Sequence, residues 1–391
     1  MTIESDNNSP QAGRHLRLGM VGGGQGAFIG AVHRIAARLD DRYQLVAGAL
    51  SSDPARAQAS AEELGIVPDR SYENFETMAS AENARADGID VVSIVTPNHV
   101  HFAAARAFLK AGIHVICDKP LTTNAEQARE LASLASENNL LFAVTYNYSG
   151  YPMIRQAREM TASGALGKIR LVQVEYPQDW LTTPAETTGL KQAEWRTDPS
   201  RAGSGGCIGD IGTHAYHLAC YVSGLKLESL CAELTTFVDG RQLDDNAQIK
   251  LRFAGGARGL LWASQVAPGN ENALRLRVYG SEGGLEWRQE NPNQLWYTPF
   301  AQPTQLITRN GSGAGAAANR LSRIPPGHPE GYLEGFANIY SEVADALQSL
   351  IQDSPGDEAV DYPGVNDGVR GVEFIEAAVA SSESGATWVR L

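Results

Sequence analysis

Along the first 146 residues, short apolar runs alternate with stretches in which apolar side chains recur every three or four positions. The first run, residues 16–21, leads straight into Gly22-Gly23-Gly24-Gln25-Gly26, and residues 27–39 then carry apolar side chains at helical spacing. A second strand is predicted over 44–50 and a second helix over 54–65, ending on its glycine. Further strands follow at 91–95, 114–117 and 140–145, separated by helices at 99–111, stopped by Gly112, and at 125–138. Strands that alternate with helices pair in parallel through right-handed crossovers. The expected unit is a doubly wound parallel sheet over residues 15–146, preceded by a disordered tail at 1–14 rich in Ser, Asn and Asp.

Beyond residue 146 the pattern changes. Strand-like stretches at 169–176, 228–237, 247–253, 258–266, 272–280 and 284–288 follow one another across short turns. They predict an open, largely antiparallel sheet in a second α/β domain spanning 147–391, with one face free for packing or dimerisation. Helices at 152–163, 213–222 and 333–351 would cover the other face. Residues 309–331 are rich in Gly and Ala and lack periodicity, which suits either a functional lid or a disordered insert.

Charge narrows the choice of partner. With 32 Lys and Arg against 45 Asp and Glu, the 391-residue chain carries a net charge of −13, which repels phosphate backbones and anionic membranes. Neither nucleic acid nor a membrane is an expected partner, and no apolar run approaches the roughly 18 residues of a spanning helix. The four cysteines form no C-x-x-C pair, no metal set is apparent, and the composition suits a reducing cytoplasm.

Three segments carry candidate chemistry. A glycine-rich turn between strand and helix presents backbone N–H groups at a helix N-terminus, where a pyrophosphate is stabilised. The alternative is a plain tight turn, but the strand-turn-helix context is the one the dinucleotide fingerprint demands. Gly22 and Gly24 fit its opening; the glycine near the helix is Gly30, so Gln25, Gly26, Ala27, Phe28 and Ile29 form a lengthened loop. After the second strand, Ser51 can bond a ribose hydroxyl or a phosphate, whereas Asp53 reads as the N-cap of the helix begun by Pro54. NAD is the cofactor expected, with NADP left open.

Thr96-Pro97-Asn98-His99-Val100-His101 and Cys117-Asp118-Lys119-Pro120 stand at the carboxyl ends of parallel strands, where open α/β sheets place ligands. Partial desolvation and a neighbouring cationic ring would lower the pKa of Lys119; a lysine snorkelling at a strand end is the plainer reading. Finally, Asp210 and His214 lie four apart at a helix start, close enough on one face for the carboxylate to orient the imidazole as a general base. On spacing alone, an N-cap and a satisfied core histidine are equally good descriptions.

Together these segments, with Trp195-Arg196 and Asp198-Pro199, resemble the glucose-fructose oxidoreductase and inositol dehydrogenase family, written Gfo/Idh/MocA. The resemblance spans nearly the whole chain. It implies a Rossmann domain carrying NAD or NADP and a C-terminal domain forming the substrate wall and a homodimer or homotetramer interface. It also implies oxidation of a secondary hydroxyl of a sugar, sugar derivative or cyclitol by hydride transfer. Carried over by position, Lys119 would bond the reacting oxygen, His214 would take its proton, and Asp210 would orient His214 and bind a neighbouring hydroxyl. Thr96, Pro97, Asn98, His101, Asp118 and Arg196 would lie near the nicotinamide and its ribose. Tyr146, Gln178, Asp179, Trp195 and His328 are expected around a polyol pocket.

Two departures stand out: Asp118 replaces the usual Glu, and Asn147-Tyr148 stands where many relatives carry Arg after the Asn. The same residues would also serve a glycosidase that oxidises the sugar transiently, eliminates the aglycone and reduces the ring again, with Tyr146 or Tyr148 as the additional base. A third possibility is a non-catalytic NAD(P)-binding regulator.

Overall fold

The computed structural model of the chain describes residues 14–391. The expected tail falls outside them except for Arg14, which is anchored by two bonds to Asp90 at 2.6 and 2.7 Å. Five parallel strands, β1 (Leu16–Gly22), β2 (Tyr43–Ala49), β3 (Val91–Val95), β4 (His114–Cys117) and β5 (Phe142–Val144), lie in the order β2-β1-β3-β4-β5. A parallel bridge between Gly48 and Ser71 adds the trace of a sixth strand beside β2, giving the doubly wound order of a dinucleotide-binding fold. Every residue of β3 is buried, as expected of a parallel strand covered on both faces.

Helices Phe28–Leu39, Pro54–Glu63, Asn98–Lys110 and Ala125–Glu137 stand within two residues of expectation. Phe75–Ala84 was not anticipated, because its buried stripe is only Met78, Ala79 and Glu82 and its clearest signal is the Asn74 cap on Thr77.

The second sheet has nine strands: β6 (Ile169–Pro177), β7 (Leu227–Thr235), β8 (Asn246–Phe253), β9 (Arg258–Ser264), β10 (Arg275–Gly280), β11 (Gly283–Arg288), β12 (Gln294–Pro299), β13 (Gln305–Thr308) and β14 (Val389–Arg390). Their order is β13-β12-β11-β10-β6-β9-β8-β7-β14, and every pairing is antiparallel except β6 with β9. In β8, Ile249, Leu251 and Phe253 point inward while Gln248, Lys250 and Arg252 face solvent. Helices Pro152–Ala162 and Thr213–Ser223 pack on the inner face.

The helix expected at 333–351 spans Tyr332–Ile351 but packs elsewhere. Phe336, Ile339, Tyr340, Val343 and Leu347 join Leu16, Leu18, Val91 and Ile116 in one buried cluster on the parallel sheet. An amphipathic stripe declares that a helix has a partner, not which sheet it is. A further long helix, Val365–Glu383, packs against both β7 and Ala125–Glu137, tying the two sheets together.

Residues 309–331 are ordered around a buried ion rather than an apolar stripe. Arg309 is 1% exposed, donates to the carbonyls of Ile324, Pro325 and His328, and pairs with buried Glu330 at 2.8 Å. Order of this origin leaves no hydrophobic period to read, and the segment is not a disordered insert.

Candidate active site

The glycine turn closes the carboxyl end of β1. Gly22, Gly23 and Gly26 adopt φ of 78°, 74° and 80°, the left-handed region in which side chains are strained. Gly30 is the packing glycine: a Cβ there would stand 2.3 Å from the Gly23 Cα. Helix Phe28–Leu39 begins without a side-chain cap, so its first-turn N–H groups are open to an anion. A cavity of about 380 Å³ lies over this turn, lined by Gly24, Gly26, Ala27, Phe28 and Arg34. Gln25 lines the same cavity, its N–H donating to Ser60 Oγ at 3.0 Å and its amide to Glu63 at 2.9 Å. Ile29 is half-buried among the apolar side chains behind the turn. Asp53 caps its helix through Arg56 N at 2.8 Å, and the Asp53 N–H donates to Ser51 Oγ.

At the end of β3, the Thr96 hydroxyl is buried without a protein partner and its methyl packs where a Gly22 side chain would stand. An uncapped helix, a turn that excludes side chains and an orphaned hydroxyl together fit a dinucleotide. Pro97 precedes the first turn of helix Asn98–Lys110. Asn98 and His101 do other work: Asn98 donates to the Ala202 carbonyl at 2.9 Å. His101 is fully buried, its two ring nitrogens 2.9 Å from the Pro120 carbonyl and 2.8 Å from that of Thr96. It therefore joins the two ligand-facing segments and has no nitrogen left for a ribose.

Lys119, just past β4, reaches across to the second domain. Its ammonium donates to the Asp210 carbonyl at 2.5 Å and stands 3.3 Å from Asp210 Oδ1. Arg196 pairs with the same oxygen at 3.2 Å, and Gln265 donates to Oδ2 at 2.8 Å. Burial would raise the Asp210 pKa, but Arg196 and then Lys119 hold it well below the usual carboxylate range. The Arg196 guanidinium lies over the Trp195 ring, 4.2 Å from its centroid.

Asp210 does not pair with His214, contrary to the spacing argument. Residues Ile208–Gly212 form a π-helical turn, and the Asp210 carboxylate is taken up by Lys119, Arg196 and Gln265 instead. The turn is held at its start by Asp244, which accepts the Gly206 and Ile208 N–H groups at 2.6 and 2.8 Å. His214 instead sits in an aromatic cage, edge-on to Tyr148, Tyr146 and Tyr176. Burial first, then the Lys119 charge, push its pKa well below the ordinary histidine value, and Asp210 opposes them only in part. The ring is thus a neutral base at neutral pH, close enough to Lys119 to feel its charge.

The remaining expected residues divide. Tyr146 is 1% exposed, bonds Thr213 Oγ1 at 2.9 Å and stacks on His217, so it stands behind His214 rather than in the pocket. Gln178 belongs to a polar chain in which Tyr148 meets Tyr176, Tyr176 donates to Asn272 Oδ1 at 2.8 Å, and Gln178 donates to the same oxygen at 2.6 Å. Asp179 accepts from the Gly269 N–H at 3.1 Å. The His328 side chain is exposed and its carbonyl is held by Arg309, which gives it no contact with the Lys119 cluster. Sequence reasoning missed Tyr176, Gln265, Asn272 and Asp244. Tyr148 was noticed as a replacement for Arg and as a candidate additional base, not as a wall of the His214 cage; the others stand at strand ends and turns, where no motif marks them.

Comparison with known proteins is decisive at this point. Residues 16–146 match the oxidoreductase family with an NAD-binding Rossmann fold, and residues 154–286 match the GFO/IDH/MocA C-terminal domain. The chain belongs to the Gfo/Idh/MocA family. As a Gfo/Idh/MocA protein it is an oxidoreductase whose N-terminal domain is an NAD-binding Rossmann fold. An oxidoreductase of known structure from Sinorhizobium meliloti is 57% identical, with a TM-score of 0.88 over 96% of this chain and all of its own. An inositol dehydrogenase homologue from Azotobacter vinelandii, crystallised with NADH and myo-inositol, is 38% identical, with a TM-score of 0.90 over 97% of this chain and 98% of its own. Levoglucosan dehydrogenase from Pseudarthrobacter phenanthrenivorans is 30% identical over 72% of this chain and 76% of its own.

Proposed function

We propose that this protein is an NAD-dependent dehydrogenase that oxidises a secondary hydroxyl of a sugar, sugar derivative or cyclitol. The observation that carries the reading is the meeting of two domains at one point: the Lys119 ammonium, fixed by Asp210, stands beside a His214 ring that burial keeps neutral. Two of the three ammonium protons are engaged by Asp210, and the third is available to a substrate oxygen, where it stabilises alkoxide character as the hydroxyl is lost. His214 takes the hydroxyl proton; its Nδ1 is buried without a partner, so Nε2 is the nitrogen that faces a ligand. Asp210 fixes Lys119 and Arg196, and Gln265 fixes Asp210. The dinucleotide, held by the Gly22–Gly30 turn, Ser51, Thr96 and Asp118, supplies the hydride acceptor when bound.

The glycosidase alternative needs a further base. Tyr146 and Tyr148 are both buried and hydrogen-bonded, and burial pushes both phenols up, which favours the plain dehydrogenase. Incubating the purified protein with sugars, cyclitols and glycosides in the presence of NAD or NADP tests this directly. NADH formation matched by oxidised product is expected; aglycone release without net NADH would overturn the reading. We place the enzyme in the cytoplasm as a homodimer or homotetramer joined through the outer face of the second sheet. Leu171, Leu260, Tyr279 and Trp296 are exposed on its strands, and a monomer in sedimentation at micromolar concentration would refute that assembly.

A further inference from the structure

Under Asp118 lies a buried polar chain that the reaction as described does not use. His33, on the inner side of helix Phe28–Leu39, is wholly enclosed and places Nε2 3.1 Å from Asp118 Oδ1. Its Nδ1 is 2.8 Å from the Tyr340 hydroxyl, which is 2.8 Å from Ser93 Oγ on β3. Phe336 packs against the His33 ring at 5.0 Å between centroids, and Tyr340 meets it edge-on. These contacts and the bonds to both ring nitrogens hold the ring in one orientation. Thr145, beyond β5, donates to the same Asp118 oxygen at 2.5 Å.

Both donors converge on Oδ1. Oδ2 has no protein partner among the described residues, and the Asp118 side chain keeps 15% of its surface exposed. A carboxylate held by two donors on one oxygen is fixed in rotamer and ionisation, while the other oxygen is left for a ligand. Burial alone would raise the Asp118 pKa, yet the His33 interaction and the Thr145 bond bring it down to about 2, with buried His101 adding to the effect. Asp118 is adjacent in sequence to Lys119, so its free oxygen belongs to the reacting end of the crevice and not to the glycine turn.

We infer that His33, backed by Tyr340 and Ser93, is the positioning residue that aims Asp118 Oδ2 at the ribose hydroxyls on the nicotinamide side of the dinucleotide. The inference rests on the NAD-dependent reading above. In either protonation state the ring donates from Nε2 to Asp118, and Tyr340 sets the ring's rotation. The chain also couples the far C-terminal helix to the cofactor site, since Tyr340 lies on Tyr332–Ile351.

His33 shares a helix with the glycine turn, so a merely structural role would disturb both halves of the dinucleotide site. The test therefore compares NADH, followed by fluorescence titration, with ADP, which lacks the nicotinamide ribose. His33→Leu is expected to weaken NADH binding at least ~10-fold while ADP binding stays within about twofold. His33→Gln, whose amide reproduces the Nε2 donor, is expected to restore NADH affinity to within about threefold of wild type. Tyr340→Phe, which keeps the ring and removes only the hydroxyl, is expected to weaken NADH by a few-fold and carries the test should His33→Leu fail to fold. Unchanged NADH affinity in Tyr340→Phe and His33→Leu, or equal losses for NADH and ADP, overturns the inference. A wild type that binds NADH but oxidises no polyol would refute the proposed function alone.

Discussion

The two halves of the catalytic crevice are built on opposite electrostatic terms. Around Lys119, opposite charges are packed together: Asp210 is shared by two cations and bonded by Gln265, and its carboxyl stays ionised far into acid. Around His214, rings replace ions. Tyr146, Tyr148 and Tyr176 remove water and offer no anion to stabilise an imidazolium. The contrast sets an ammonium held in place by an ion pair near an imidazole that burial keeps neutral. Ion pairing positions the first, and desolvation sets the protonation of the second.

The largest expected break comes from removing the cation. Lys119→Met should lower kcat at least ~10²-fold, with NADH affinity changed only severalfold, because the ammonium acts on charge that develops in the transition state. Near-normal turnover would deny Lys119 its role.

The second probe is the pH profile of kcat/KM. A histidine held neutral by burial loses activity only as pH falls through its lowered pKa, so the acid limb should lie well below 6.5 in the wild type. In any Lys119→Met activity that remains, that limb should move upward, because the second cause of the depression is gone. A limb at an ordinary histidine value in the wild type would show that the cage does not govern the base.

The third probe is stability. His217, stacked on Tyr146 behind the cage, is pushed down from 6.5 to about 4, first by burial. The unfolded chain binds that proton more readily, so its contribution is present above pH 6.5 and is lost as pH falls towards about 4. Urea midpoints measured across that window should fall less steeply for His217→Phe than for the wild type. Smallest of all, Gln265→Leu should raise KM or lower kcat by only a few-fold, because Asp210 keeps both cations. A loss as large as that of Lys119→Met would mean that Gln265 touches substrate.

Legibility in the sequence differed between the two sheets for a physical reason. Parallel strands such as β3 are buried on both faces and read as short, largely apolar runs between helices, so all five were placed within a few residues. The strands β12 and β13 were missed because the turns and polar residues around them obscure a short alternation. Lys119, Asp210 and His214 were legible as separate motifs. Their wiring was not: Lys119, Arg196 and Gln265, none of them near Asp210 in sequence, take the carboxylate that the spacing had assigned to His214. His33 was invisible for a different reason, since its partner Tyr340 lies 307 positions away and no local pattern connects them.

Helix Tyr332–Ile351 closes one face of the sheet formed by the earliest strands. During synthesis, Leu16, Leu18, Val91 and Ile116 emerge with the helix Phe28–Leu39 that covers part of them, but long before Phe336, Ile339, Tyr340, Val343 and Leu347, which complete the cluster. The nucleotide-binding half therefore completes its core only when residues 332–351 are in place.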